Sequence, residues 1–176
     1  MTIPSFSLYY LLALKEYIEA TNDKSILDVA MPKVKEILES FLKTERDGLL
    51  YKIPDSTHWA FYDWSKYLEG HLGEDEPYEA DLIENVLFCL ALSWAETLYK
   101  EAGEKYPYKE KIRAYKEKIK STFYNETDGA FDFLPVKQGK KQYTALGNAL
   151  AVLAGITDKR EEKNIWESGR NENKNS

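Results

Sequence analysis

Between residues 51 and 67 the chain places six aromatic side chains: Tyr51, Trp59, Phe61, Tyr62, Trp64 and Tyr67, with His58 and Asp63 among them. The mixture suits a carbohydrate. The C–H face of a sugar ring packs on an indole or phenol ring, while a carboxylate accepts hydrogen bonds from its hydroxyls. The competing account is that the rings cap the ends of neighbouring helices. A stretch this aromatic is not the composition of a disordered linker, and long loops in compact domains are commonly functional.

More polar groups stand where helices are expected to begin: Asp81, Glu84 and Asn85 in one place, Tyr143 in another. If these helix starts share one end of the molecule with the aromatic loop, they join its site. The candidate substrate-binding set is then His58, Trp59, Tyr62, Asp63, Trp64, Glu84, Asn85 and Tyr143. A carboxylate in a first turn is also stabilised by the helix dipole, which is a purely structural reason for Asp81 and Glu84. Other chemistries lack their signatures. The sequence has no G-x-S-x-G elbow, phosphate loop or dinucleotide fingerprint. The one cysteine, Cys89, lies mid-run in an apolar segment and reads as inert core, and two histidines, His58 and His71, do not make a histidine-rich metal centre. No metal and no cofactor are expected.

The elements that must hold these residues read as helices. Residues 6–18, 82–98 and 143–154 are apolar nearly all round, as in helices enclosed by other protein. Residues 26–42 and 108–123 carry a one-sided apolar stripe instead. In the second of these, Lys109, Arg113 and Lys116 fall opposite the stripe with Glu110 and Glu117 interleaved, a solvated face rather than a nucleic-acid surface. Asn22 or Asp23 is placed to begin the second helix, Gly103 and Gly155 to end the third and fifth, and Asp158 to start a sixth. Pro32 is expected to kink the second helix or to lie in its first turn.

A weak repeat overlies this alternation. "TERDGLLY" follows the second helix and "ETDGAFDF" the fourth, so Asp47-Gly48 and Asp128-Gly129 each open a loop into the next apolar helix. Enclosed helix, amphipathic helix, Asp-Gly loop: this order predicts an all-α fold of helical hairpins with an inner and an outer layer. In an α/α toroid the loops gather at one end; a plain helical bundle is the alternative.

The bulk properties limit the function classes. The chain has 176 residues, 43% hydrophobic and 31% charged, with a net charge of −6. One domain with a real core is feasible. An acidic chain without a basic block is a poor nucleic-acid binder. The N-terminal apolar stretch lacks a basic n-region and a small-residue cleavage pattern, and it is broken by Lys15 and Glu16, so neither a secretion signal nor a membrane span is read there. A soluble, cytoplasmic protein is the expectation.

At this point the blocks "FYDWSKYLEG", "ADLIENVLFCLALSWAETLYKEAG", "DGAFDF" and "QYTALGNALAVLAGI" resemble, in order, consecutive parts of the six-hairpin α-L-rhamnosidases of bacteria. The stretch "IPSFSLYYLLALKEYIEATND" resembles the start of a preceding hairpin. The resemblance spans residues 3–163 and implies an (α/α)6 toroid that hydrolyses terminal α-L-rhamnosides with inversion and without a cofactor. It places Asp63-Trp64, with Trp59 and Tyr62 beside them, at the sugar. It also implies a general acid in an acidic motif upstream of the first hairpin, where nothing comparable precedes Phe6, and a general base in a Trp-Glu motif near the toroid's end. Trp166-Glu167 comes too early in the order to be that motif.

The sequence therefore predicts about two and a half hairpins over residues 1–163 and a polar, disordered tail over 164–176. It reads as a fragment or truncated relative of a glycoside hydrolase, binding carbohydrate but lacking the catalytic pair. Self-association through uncovered inner helices is expected. A non-catalytic helical protein-interaction module is the alternative.

Overall fold

The computed structural model describes residues 2–52, 57–70, 80–139 and 141–172. His71 and residues 173–176 lie outside the described residues. Six α-helices form three hairpins: α1 (Pro4–Thr21) with α2 (Leu27–Leu42), α3 (Leu82–Glu101) with α4 (Lys109–Phe123), and α5 (Ala145–Leu153) with α6 (Lys159–Glu172). The helix α3 is the centre. It packs on α1 and α5 to either side and on α2 and α4 behind it, so α1, α3 and α5 make an inner row and α2 and α4 an outer one. Its length and composition alone would let α3 cross a membrane, but here it is the core helix. Leu82, Ile83, Val86, Phe88, Cys89, Leu92 and Leu98 are all fully enclosed.

Being apolar all round has different consequences in the middle and at the edges of the row. Along α3 nearly every residue up to Leu92 is buried, and Leu87 and Leu90 are buried as expected. The helices α1 and α5 are each buried along one side only. Leu146 and Leu150 are half-buried and Leu153 is exposed, because nothing among the described residues lies against their far side. Trp94, also expected to be enclosed, is half-buried. Lys109 and Arg113 are exposed; Lys116 is half-buried because it reaches toward the Gly155 turn at the end of α5.

Helix ends follow the local chemistry. Gly103 and Gly155 sit at positive φ and complete paired bonds at the ends of α3 and α5: Gly103 N–H to Lys100 and Glu104 N–H to Tyr99, then Gly155 N–H to Val152 and Ile156 N–H to Ala151. Asn22 ends α1 in the left-handed region rather than beginning α2. Asp23 accepts from Ser25 N–H and closes the turn before α2, and Pro32 lies in the interior of α2 instead of its first turn.

The tail expected at residue 164 is helical through Glu172, which makes three hairpins rather than two and a half. Asp158 accepts from Arg160 and Glu161 N–H, each at 2.9 Å, while the Glu161 carboxylate accepts from Asp158 N–H at 2.8 Å. This reciprocal capping box starts α6. A 2.6 Å ion pair from Glu161 to Lys120 fastens α6 to α4, and Ile165 is buried within it.

The two Asp-Gly loops are β-hairpins of two-residue strands. In the first, β1 (Glu45–Arg46) pairs with β2 (Leu49–Leu50). In the second, β3 (Tyr124–Asn125) pairs with β4 (Ala130–Phe131). Asp47 and Gly48 both have positive φ, the geometry of a two-residue turn that follows the strand twist.

Candidate functional site

Each β-hairpin is held to the next inner helix by an asparagine in that helix's first turns. The Asn85 amide accepts from Leu50 N–H (2.7 Å) and donates to Leu50 C=O (3.1 Å) and Asp81 C=O (2.8 Å). Asn148 repeats the arrangement: it accepts from Phe131 N–H (2.9 Å) and donates to Phe131 C=O (2.8 Å) and Thr144 C=O (3.1 Å). Both asparagines are buried. Asn85 is thus a clamp: its amide is enclosed and bonded to backbone.

The clamps bring the loops to the N-terminal ends of the inner helices. Phe133 C=O accepts from Leu82 N–H at the start of α3, and Phe133 N–H donates to Gln142 C=O. Thr2, just before α1, exchanges backbone bonds with Thr57 and Trp59, and Ser5 Oγ donates to Phe61 C=O. The gathering of loops at one end is therefore realised.

At the centre of this end stands Asp81, fully enclosed and N-cap of α3. One oxygen accepts from Glu84 N–H (2.8 Å). The other accepts from the Tyr62 hydroxyl (2.7 Å) and lies 3.7 Å from the Lys52 ammonium. That ammonium is also 5.7 Å from the centre of the Phe133 ring, on which Tyr62 packs edge-on. Tyr62 therefore presents its ring beside the site while its hydroxyl serves Asp81. Lys52 was not among the predicted residues. Its signal in the sequence was a lone cation between Tyr51 and an aromatic run, which says nothing of a carboxylate 29 positions further on.

The aromatic loop forms a shelf. Trp59 and Phe61 rings are 4.8 Å apart, and Trp64 meets Phe61 at 4.8 Å and Trp59 at 5.9 Å. Trp64 remains 74% exposed. The Trp59 indole donates to Glu69 C=O, which fixes its plane. Asp63 holds the shelf from inside the turn: its carboxylate accepts from Trp64 N–H and from Ser65 Oγ, each at 2.7 Å. Those two donors hold its pKa below the ordinary aspartate value, the Ser65 bond contributing most. Tyr62 and Asp63 N–H both donate to Leu68 C=O and close the loop on the buried Leu68 side chain.

A cavity of about 180 Å³ opens between α1, α2 and α3 at this end, lined by Thr2, Ser7, Ser40, Phe41, Thr44, His58 and Glu84. It is below the range of drug-sized sites, about 300–1,000 Å³, and of a scale for one small polar group. His58 accompanies Thr57, with Nδ1 3.0 Å from its hydroxyl. Glu84, on the first turn of α3, is buried and is the one carboxylate among the described lining residues.

The structure thus gathers His58, Trp59, Tyr62, Asp63, Trp64 and Glu84 at one end of the molecule. Tyr143 stands on the second loop, where its backbone bridges to Asp132. Asp128 is tied to Lys141 at 2.7 Å on the same loop. Trp166 and Glu167 are on α6, exposed, with Glu167 facing Lys163.

An inner row of helices backed by an outer row, with a loop-built polar and aromatic rim at the inner N-termini, is the architecture of an α/α toroid. The family profile described as bacterial alpha-L-rhamnosidase 6 hairpin glycosidase domain matches residues 5–174, and the chain belongs to that family. Among solved structures, it is similar to a rhamnosidase from Klebsiella oxytoca with rhamnose bound, with TM-score 0.67 at 12% sequence identity. The match covers 96% of this chain and 30% of the Klebsiella chain. No curated protein matches the sequence.

Proposed function

We propose that this rim receives a terminal α-L-rhamnosyl unit, with the Trp59–Phe61–Trp64 shelf beneath the sugar and the His58–Glu84 cavity taking its hydroxyls. The observation that carries the reading is the exposed Trp64, on a turn closed by Asp63, in a chain of the rhamnosidase family. Most exposed tryptophan area is lost to the core or to a partner; one propped outward on two other rings is available for a ligand face.

The same reading makes the isolated chain a binder rather than a catalyst. An inverting glycosidase needs two carboxyl groups about 6.5–9.5 Å apart with room for water between them. Glu84 supplies one carboxylate to the cavity, whereas Asp81 is committed to Tyr62 and the α3 cap, Asp63 to its own turn, and Asp128 to Lys141. Among the described residues no second carboxylate lines that cavity; a general acid or base typically contributes about 10²–10⁴-fold, so these residues by themselves give a rate near background.

The test is twofold. Purified chain incubated with an aryl α-L-rhamnoside is expected to release no more phenol than buffer, while L-rhamnose binds weakly, and Trp64→Ala weakens that binding without lowering the melting temperature. Robust turnover would refute the binding-only reading. Equal affinity in Trp64→Ala would refute the shelf.

A further inference from the structure

Two inner helices begin in the same way. In each, the N-cap residue stands four places before the clamp asparagine, whose amide donates to the cap's C=O: Asp81 before Asn85 on α3, Thr144 before Asn148 on α5. Each cap side chain accepts from the backbone N–H three residues on, Glu84 N–H at 2.8 Å and Gly147 N–H at 3.3 Å. One side-chain oxygen is enough for that bond, and Thr144 has one. Asp81 has two. Although it is fully enclosed, its second oxygen is engaged outside the helix, by the Tyr62 hydroxyl at 2.7 Å and the Lys52 ammonium at 3.7 Å. Burying that oxygen carries a desolvation cost that the threonine cap of α5 avoids.

The two oxygens end on the two halves of the proposed sugar site. One fixes the backbone of Glu84, whose carboxylate belongs to the His58–Glu84 cavity. The other holds Tyr62, which sits between Phe61 and Asp63-Trp64 in the shelf loop. Toward α1 that loop is attached through Thr2, bonded to Thr57 and Trp59, and through Ser5 Oγ, which donates to Phe61 C=O. Toward α3 it is attached through the Tyr62 hydroxyl. We propose that Asp81 is a positioning residue: through Tyr62 it sets the Trp59–Phe61–Trp64 shelf at a fixed distance from Glu84, so that a ring on the shelf presents its hydroxyls to the cavity. Ordering both halves before the ligand arrives spares the cost of ordering them on binding. The inference rests on the rhamnosyl reading above and adds that affinity depends on an enclosed residue that touches no sugar.

Two variants cut this tie and keep the cap. Tyr62→Phe removes the hydroxyl alone. Asp81→Thr installs on α3 the cap that α5 already uses. Both should bind L-rhamnose about three- to tenfold more weakly than the unaltered chain, the worth of one hydrogen bond. A role in stability alone would not loosen the shelf of a chain that stays folded, so the second readout is taken without sugar. The ¹⁵N order parameters of the Trp59 and Trp64 indole N–H groups should fall in both variants toward the flexible range, below about 0.6, with those of Trp94 and Trp166 unchanged. Unchanged indole order, or looser indoles with undiminished affinity, overturns the proposal. If the unaltered chain does not bind rhamnose, the rhamnosyl reading fails instead, and the indole order alone decides whether Asp81 sets the shelf. Where the two variants disagree or Asp81→Thr does not fold, Tyr62→Phe decides, because it leaves the carboxylate and its cap in place.

Discussion

At the scale of single residues, Asp81 has the most partners to lose. It accepts from Tyr62 and from the first turn of α3, and it stands beside an enclosed ammonium. Replacing it with alanine removes the α3 cap, worth about 0.5–2 kcal/mol, together with the Tyr62 bond and the Lys52 contact. Asp81→Ala should therefore lower the urea midpoint steeply, with Asp81→Asn, which keeps an acceptor, losing less. Asp63 gives a pH signature at the same scale. Its folded pKa is depressed, so its turn is supported above the ordinary aspartate value and loses that support as pH falls through the lowered one. The fluorescence of the native chain should change in that acid range, and Asp63→Asn should abolish the change. The sequence groups His58, Trp59, Tyr62, Asp63 and Trp64 in one stretch, and the structure places them at one end of the molecule. The sequence did not reveal that Asp63 faces its own turn or that Asn85 faces a strand, because a polar side chain's partner is set by tertiary approach.

The helical elements and their two layers were readable from hydrophobic period, and the β-hairpins from Asp-Gly. The asparagine clamps were not. Leu50 and Phe131 recur at the repeat distance, but Asn85 and Asn148 do not, because the first loop is much longer than the second. Losing one clamp leaves a buried strand amide and carbonyl without partners. Asn148→Ala is thus expected to cost about 1–3 kcal/mol per group left unsatisfied, read as a lower melting temperature. At Gly147 the helix α5 lies close against α3. A Cβ there would lie 2.7 Å from Thr144 Oγ1 and 2.8 Å from Leu82 Cδ2. Gly147→Ala should destabilise by about 1–3 kcal/mol, as overpacking does. The start of α6 was visible in Asp158, but its continuation was masked by a polar composition. Its fastening is the Lys120–Glu161 pair and Ile165, two contacts made far from their own stretch of sequence.

Considered whole, the molecule is built to be most stable below alkaline pH. Burial pushes the Cys89 thiol up to about 11 and the Tyr99 phenol up to about 12, and it raises the Tyr106 and Tyr115 phenols too. Each binds its proton more tightly folded than unfolded. The stability they lend is complete below the ordinary thiol and phenol values and is lost as pH rises through the folded ones. Denaturation midpoints should hold near neutrality and fall steadily above about pH 8.5, where an unfolded thiol begins to ionise. A disulfide reagent should reach Cys89 only after unfolding.

Rhamnose binding at the rim of the inner helix N-termini, as proposed above, has a residue-level readout. The most direct measurement is an L-rhamnose titration of ¹⁵N-labelled chain, following the four tryptophan indole N–H signals. Saturable shifts confined to Trp59 and Trp64 are expected, with Trp94 and Trp166 unmoved. Four unmoved signals, or shifts at Trp94 or Trp166 instead, would contradict it.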